Sequence, residues 1–175
     1  MNKLKSYRYE KKFIVPQNSQ YLISRSIILN GMMFTKQYEN RMINSIYLDS
    51  KNLDFFRENL LGINERKKTR IRWYGNLKYN KNLFFEIKRK KNQLGLKEVF
   101  EIENSIQINN DIFDISKLLF SLKNQNFLSK DVSFYYRLEP KILISYEREY
   151  FKSSFCDCRL TVDKKISYNI FDSNN

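Results

Sequence analysis

An α+β fold built on a largely antiparallel sheet is what this sequence predicts, on three observations. Apolar or aromatic residues alternate with charged ones at a period of two along seven short segments. Apolar residues recur at helical spacing in two or three other segments. The 175 residues are 42% hydrophobic and 15% aromatic, with only four Gly and two Pro. That is enough apolar material for one buried core and too much for a disordered chain. No repeat of solenoid length and no long linker divides the sequence, so one domain over 1–175 is expected.

The elements follow in order. Tyr7 to Val15 predicts the first strand, with Tyr7, Tyr9, Lys11, Phe13 and Val15 on one side and Arg8, Glu10 and Lys12 on the other. Pro16 closes it, and a helix from Ser19 to Leu29 follows, capped by Asn18 or Ser19 and stopped at Gly31. Ile43 to Leu48 predicts a second strand and Asn52 to Asn59 a short amphipathic helix. Arg66 to Tyr74 is the most charged strand: Arg66, Lys68, Arg70 and Arg72 share one face, against Lys67, Thr69, Ile71 and Trp73. The stretch Gly75 to Asn82 reads as a turn. Beyond it Leu83, Phe85 and Ile87 oppose Phe84, Glu86, Lys88 and Lys90 in a strand ending at Lys90. Lys97 to Ile102 is a fifth strand. In the helix predicted over Asp111 to Lys123, the stripe Ile112, Ile115, Leu118, Leu119 and Leu122 is core packing. Lys141 to Phe151 and Cys158 to Asp163 complete seven strands; Arg159, Thr161 and Asp163 share a face of the last.

Composition excludes several kinds of chemistry. The chain has no histidine, so His general bases, His-bearing zinc sites and the usual catalytic triads are absent. Its two cysteines, Cys156 and Cys158, are too few for a zinc cage and too close for an ordinary bridge, and suit reduced thiols. Charged residues follow Met1 to Lys5 where a leader would be apolar, and Arg25 interrupts the best apolar run, Tyr21 to Leu29. A soluble cytoplasmic protein without a membrane span is expected.

The net charge is +13, which points to a polyanionic partner. The row Arg66, Lys68, Arg70, Arg72 places like charges about 6–7 Å apart. Neighbours at that distance repel by about 2–3 kcal/mol at an effective dielectric of 20, and by far less in bulk water. A solvated outer face tolerates such a row. So does a face whose carboxylates or bound polyanion neutralise it. Carboxylates do occur among the bases: Glu10 between Arg8 and Lys12, Glu86 beside Lys88, and Asp163 beyond Arg159. Phosphates of a nucleic acid would be repelled by them, so no nucleic acid is expected, although the basic and aromatic mix at Arg72, Trp73 and Tyr74 suits one. A phosphate chain with a divalent metal uses both signs, bases on its oxygens and carboxylates on Mg²⁺ or Mn²⁺.

Six pieces in order carry a resemblance: Tyr7 to Phe13 (YRYEKKF), Ser45 to Ser50 (SIYLDS), Lys68 to Gly75 (KTRIRWYG), Phe85 to Lys90 (FEIKRK), Ser145 to Arg148 (SYER) and Arg159 to Asp163 (RLTVD). Together they resemble the VTC domain, the polyphosphate polymerase branch of the triphosphate tunnel metalloenzymes. The resemblance implies an antiparallel eight-stranded tunnel, about seven strands of which are present here. Its basic lumen would bind ATP, triphosphate or polyphosphate and transfer the ATP γ-phosphoryl group to a polyphosphate chain. By position, Arg70, Arg72 and Lys88 match the bases expected at the reaction centre. Lys12, Lys97, Arg148 and Arg159 match further phosphate contacts. Glu10 matches the first-strand acid, and with Glu86 forms the expected ligand pair for Mn²⁺ or Mg²⁺. Arg8 stands where the wider superfamily has the first Glu of Glu-x-Glu-x-Lys, a swap usual in the VTC branch that favours polymerase-like chemistry. After Asp163 the resemblance implies a further strand of Leu-Glu-Ile-Lys-Tyr type and a helix, and the sequence to Asn175 contains neither. An incomplete tunnel is therefore expected, completed by a partner chain or acting as a non-catalytic binder of polyphosphate or nucleotide.

Overall fold

A computed structural model of the chain describes residues 10–77, 79–80, 82–92, 94–102, 106–107 and 137–171. Its centre is a six-stranded antiparallel sheet. The strands are β1 (Phe34–Asp49), β2 (Glu65–Tyr74), β4 (Leu83–Lys91), β5 (Leu94–Ile102), β7 (Glu139–Ser153) and β8 (Arg159–Ile170), in the order β5-β4-β2-β1-β7-β8. Two-residue strands β3 (Tyr79–Asn80) and β6 (Ile106–Gln107) pair separately, within and beyond the predicted turn. A short 3-10 turn (Gln17–Ser19) and helices α1 (Gln20–Leu29) and α2 (Asp54–Leu60) complete the described elements.

Alternation sorts the sheet into two faces. Ile46, Leu48, Ile71, Trp73, Leu83, Phe85, Ile87 and Ile102 bury together on one face, joined by Leu138 and by Phe55 of α2. Trp73, the sole tryptophan, lies in this core, and its indole N–H donates to the Asn76 carbonyl at 3.1 Å. Helix α1 is tied to the same side of the sheet, where Ser24 bonds Glu149 at 2.5 Å and receives a bond from Lys164 at 2.8 Å. The opposite face carries the charged row of β2.

Turns and caps are local. Gly75 ends β2 at φ +90°, a conformation that a residue with a Cβ resists, and its N–H bonds the Met42 carbonyl at 2.9 Å. At the end of β1 the buried carboxylate of Asp49 accepts N–H bonds from Ser50, Phe55 and Phe56 at 2.7–2.9 Å, fixing the start of α2. The β7–β8 connection, 154–158, contains both cysteines as free thiols.

Three expectations need correction. The sheet is open among the described residues, with β5 and β8 at its edges, rather than closed as a tunnel. The strand expected over Tyr7 to Val15 is absent from 10 onward: residues 10–16 join no ladder, and Phe13 and Ile14 are 81% and 100% exposed. Period-two alternation says which side chains would share a face, but a strand also needs a neighbour to receive its backbone bonds. Finally, β1 begins nine residues before the predicted Ile43 and β8 continues seven beyond Asp163. Both extensions are exposed on either face and held by ladder bonds to β7, so no apolar alternation marks them. The helix predicted over Asp111 to Lys123 lies outside the described residues, as do Tyr7 to Tyr9.

The cap gives a test of the local scaffold. Asp49→Ala removes the acceptor of three backbone N–H groups and is expected to lower stability by about 1–2 kcal/mol, read as a shift in the urea midpoint. An unchanged midpoint would show that α2 does not depend on it.

Candidate functional site

The charged face becomes a site because neighbouring strands are antiparallel and in register. Arg70 on β2 stands opposite Glu86 on β4 and Tyr47 on β1, while Arg72 stands opposite Ser45. Lys68, Lys88 and Lys97 form a rung of three lysines directly across β2, β4 and β5. Like charges in that position destabilise a sheet unless something neutralises them.

Glu86 is the one carboxylate among these bases that is deeply buried, at 3% exposed. Its Oε2 accepts from the Nε of Arg70 at 2.6 Å and faces Nη2 at 2.5 Å, and its Oε1 accepts from the Nζ of Lys97 at 2.8 Å. Burial pushes the Glu86 carboxyl up, but the bond from Lys97 and the charges of Arg70 and Arg72 outweigh it and hold it below the usual carboxylate value. Burial likewise opposes the charge of Arg70, yet Tyr47 and Glu86 keep the guanidinium firmly protonated.

Among the described residues, Arg72 and Lys88 have no such anion bonded to them. Arg72, 9% exposed, donates to hydroxyls: Nε to Ser45 Oγ at 3.2 Å and Nη2 to Tyr146 Oη at 3.4 Å. Lys88 lies among Arg70, Arg72 and Lys97. Desolvation of its ammonium, then the charges of Arg70, Lys97 and Arg72, hold its amine below the ordinary lysine value. Four cations thus surround one carboxylate: Arg70 and Arg72 are buried beside it, while Lys88 and Lys97 are exposed to solvent.

Tyr146 joins this cluster to a second one on β7 and β8. The guanidinium of Arg148 lies 5.1 Å from the Tyr146 ring centroid and forms a two-pronged pair with Asp163 at 2.6 and 2.7 Å. The Asp163 bond raises the Arg148 pKa further. Burial raises the Tyr146 hydroxyl pKa against the pull of Arg148 and Arg72. Tyr146, Tyr47 and Ser45 are the site residues that sequence reasoning left without a role. Tyr146 alternates onto the strand face of Arg148, whereas Ser45 and Tyr47 reach the bases only through register with β2.

Each anticipated residue has a definite place. Arg70, Arg72, Lys88, Lys97 and Glu86 are brought together, and Arg148 adjoins them through Tyr146. Arg159 shares the β8 face with Asp163 but is exposed at the strand's start, opposite Lys152. Glu10 and Lys12 are not brought to this face: they pair with each other at 3.6 Å on the unpaired segment, 75% and 84% exposed. The anticipated metal ligands do not fit a metal site as arranged. Both oxygens of Glu86 are occupied by Arg70 and Lys97, Glu10 is elsewhere, and no cluster of three acidic or thiol ligands occurs among the described residues. No helix among the described residues is long and apolar enough to cross a membrane.

The network has a pH signature. Since the Glu86 pKa is lowered on folding, its contribution to stability is complete above the unfolded carboxylate value, about 4.3, and is lost as pH falls through the folded value. Glu86→Gln is expected to cost about 3–5 kcal/mol near neutral pH, because it leaves Arg70 buried without its anion, and to flatten the acid limb of a stability–pH curve. An unchanged acid limb would contradict the network.

Comparison with known proteins agrees with the resemblance read from the motifs. No curated protein matched the chain. The family model described as the VTC domain matches residues 7–173, nearly the full length, and the chain belongs to that family.

Proposed function

We propose that this face binds a linear phosphate chain (ATP, triphosphate or polyphosphate) and that the domain works as a polyphosphate polymerase. The observation that carries the proposal is the set Arg70, Arg72, Lys88 and Lys97 around the buried carboxylate of Glu86. Phosphate oxygens are the complement of such a cluster, since they accept several N–H bonds at once and bring the missing charge. VTC membership supports the same direction.

In this proposal the reaction is γ-phosphoryl transfer. An oxygen of the terminal phosphate on the acceptor chain attacks the γ-phosphorus in line. A new P–O bond forms as the bridging bond to the β-phosphate breaks, and ADP leaves. Arg72 and Lys88 would neutralise charge on the transferring group, and Arg70, held by Glu86, would orient it. Arg148, Lys97 and Arg159 extend the path for the remaining phosphates. No side-chain nucleophile is required, in keeping with a chain that has no histidine. A Mg²⁺ or Mn²⁺ ion enters the proposal as a companion of the phosphates, not as an ion held by Glu10 and Glu86.

A second reading, a binder without turnover, is favoured by the open sheet, which leaves the face without the enclosure that excludes water from phosphoryl transfer. Tunnel closure, by residues outside those described or by a partner chain, belongs to the polymerase reading. Incubation with ATP and Mn²⁺, followed by a gel for polyphosphate, separates the two: product supports the polymerase, and tripolyphosphate binding without product supports the binder.

Arg72→Ala is expected to weaken tripolyphosphate binding by about 10- to 100-fold, the worth of a charge-assisted contact of about 1.5–3 kcal/mol, while the fold persists by circular dichroism. Unchanged affinity in calorimetry would sink the assignment of this face. Because the Lys88 amine titrates below an ordinary lysine, affinity should begin to fall at a correspondingly lower pH as the ammonium is lost. Lys88→Arg should abolish that alkaline decline, and a decline of the same shape in the variant would exclude Lys88 as its source.

A further inference from the structure

Helix α1 is apolar on both of its sides. Ile23 and Ile27 are half-buried towards the sheet, where they line a pocket with Phe34 and Leu160. On the outward side Tyr21, Leu22, Ile28 and Leu29 are all exposed, Tyr21 and Leu29 at 83% and 73%. Positions 21, 22, 25, 28 and 29 recur at helical spacing, so these side chains form one outward stripe with Arg25 in its middle. The stripe continues past the helix. Met33, just before β1, and Phe155, in the β7–β8 connection, are also exposed. The N–H of Ser154 bonds the Met33 carbonyl at 3.2 Å, which sets the two connections side by side. A lone exposed apolar side chain is ordinary, but a group of them along one side marks a surface that meets another apolar phase.

Charge identifies that phase. From Lys11 to Tyr38 the chain has no Asp or Glu, while Lys11, Lys12, Arg25 and Lys36 are all positive. Lys36 stands in register with Phe151, two residues from the Glu149 that holds Ser24, so it shares the α1 side of the sheet. Glu149 is itself paired with Lys164 at 3.1 Å, and Asp157 is exposed in the β7–β8 connection. A second copy of the chain would be repelled by the net charge of +13 on each. An anionic lipid surface instead answers both features, its headgroups taking the cations and its acyl boundary the apolar stripe. The ten residues of α1 are too few to cross a bilayer, so the helix would lie along the surface. We propose that the outward stripe of α1, with Met33 and Phe155, docks the domain on an anionic membrane surface. The inference does not depend on the phosphate function proposed above. Since α1 packs on the side of the sheet opposite the Arg70 cluster, docking leaves that cluster open to its ligand.

The test is flotation of the full chain with vesicles of phosphatidylcholine mixed with phosphatidylglycerol, against vesicles of phosphatidylcholine alone. The mixed vesicles are expected to take up the protein about 10-fold better, and added salt should weaken that uptake. The double variant Leu22→Asp, Leu29→Asp alters two exposed positions and is expected to lower uptake by about 10-fold or more, with circular dichroism unchanged. Arg25→Ala should lower it by about 5-fold. Excess tripolyphosphate at matched ionic strength distinguishes the two basic surfaces, because it competes for Arg72 and Lys88 and should leave vesicle uptake in place. Uptake abolished by tripolyphosphate, or undiminished in the double variant, would overturn the inference and assign the lipid to the charged face. A chain that floats with neither vesicle would overturn it as well. A dimer in sedimentation that the double variant dissociates would then assign the stripe to a second copy.

Discussion

Placing arginines at low exposure on one face of a sheet needs a counter-charge, and the arrangement of this protein follows from how little of it the described residues supply. Arg70 and Arg72 are 8% and 9% exposed, and among the described residues Glu86 is the buried carboxylate that contacts their cluster. Glu86 binds Arg70 and Lys97, which fixes the two cations in space without neutralising Arg72 or Lys88. Arg72 is steadied by the hydroxyls of Ser45 and Tyr146, which accept its N–H groups while leaving its charge intact. Arg70, Arg72 and Lys97 are thus held in place before any ligand arrives, with Lys88 exposed beside them. Such preorganisation is what electrostatic catalysis or tight anion binding draws on, because the donors need not reorganise when the ligand binds.

The apolar side provides the rigidity. Ile71 and Trp73 alternate with Arg70 and Arg72 on one strand, and Phe85 and Ile87 flank Glu86 on the next, so each charged residue is anchored by buried neighbours in sequence. Helix α2 packs on that side through Phe55, and α1 is tied there through Ser24. Both described helices thus leave the charged face to the strands. Removing a core side chain such as Phe85 would disturb the site as surely as removing one of its bases.

Much of this was legible in the sequence, and the limits have physical causes. β2 and β4 were readable because apolar and charged residues alternate strictly, so the face containing Arg70, Arg72, Glu86 and Lys88 could be named without coordinates. The outer part of β1, residues 34–42, and the end of β8 were not readable, since neither face of them is buried and only the ladder to β7 makes them strands. Glu10 and Lys12 show the opposite failure. Their segment alternates as a strand would, yet residues 10–16 join no ladder, and the two charged groups pair with each other at its surface. The roles of Ser45, Tyr47 and Tyr146 depend on register across three strands, which no local pattern encodes.

The most direct measurement is a crystal structure of the chain grown with tripolyphosphate. Phosphate oxygens should lie within hydrogen-bonding distance of Arg70, Arg72 and Lys88, with the Arg70–Glu86 pair intact beneath them. Tripolyphosphate found instead on the exposed segment at Lys12, or along the outer edges β5 and β8 with the central cluster empty, would contradict the assignment.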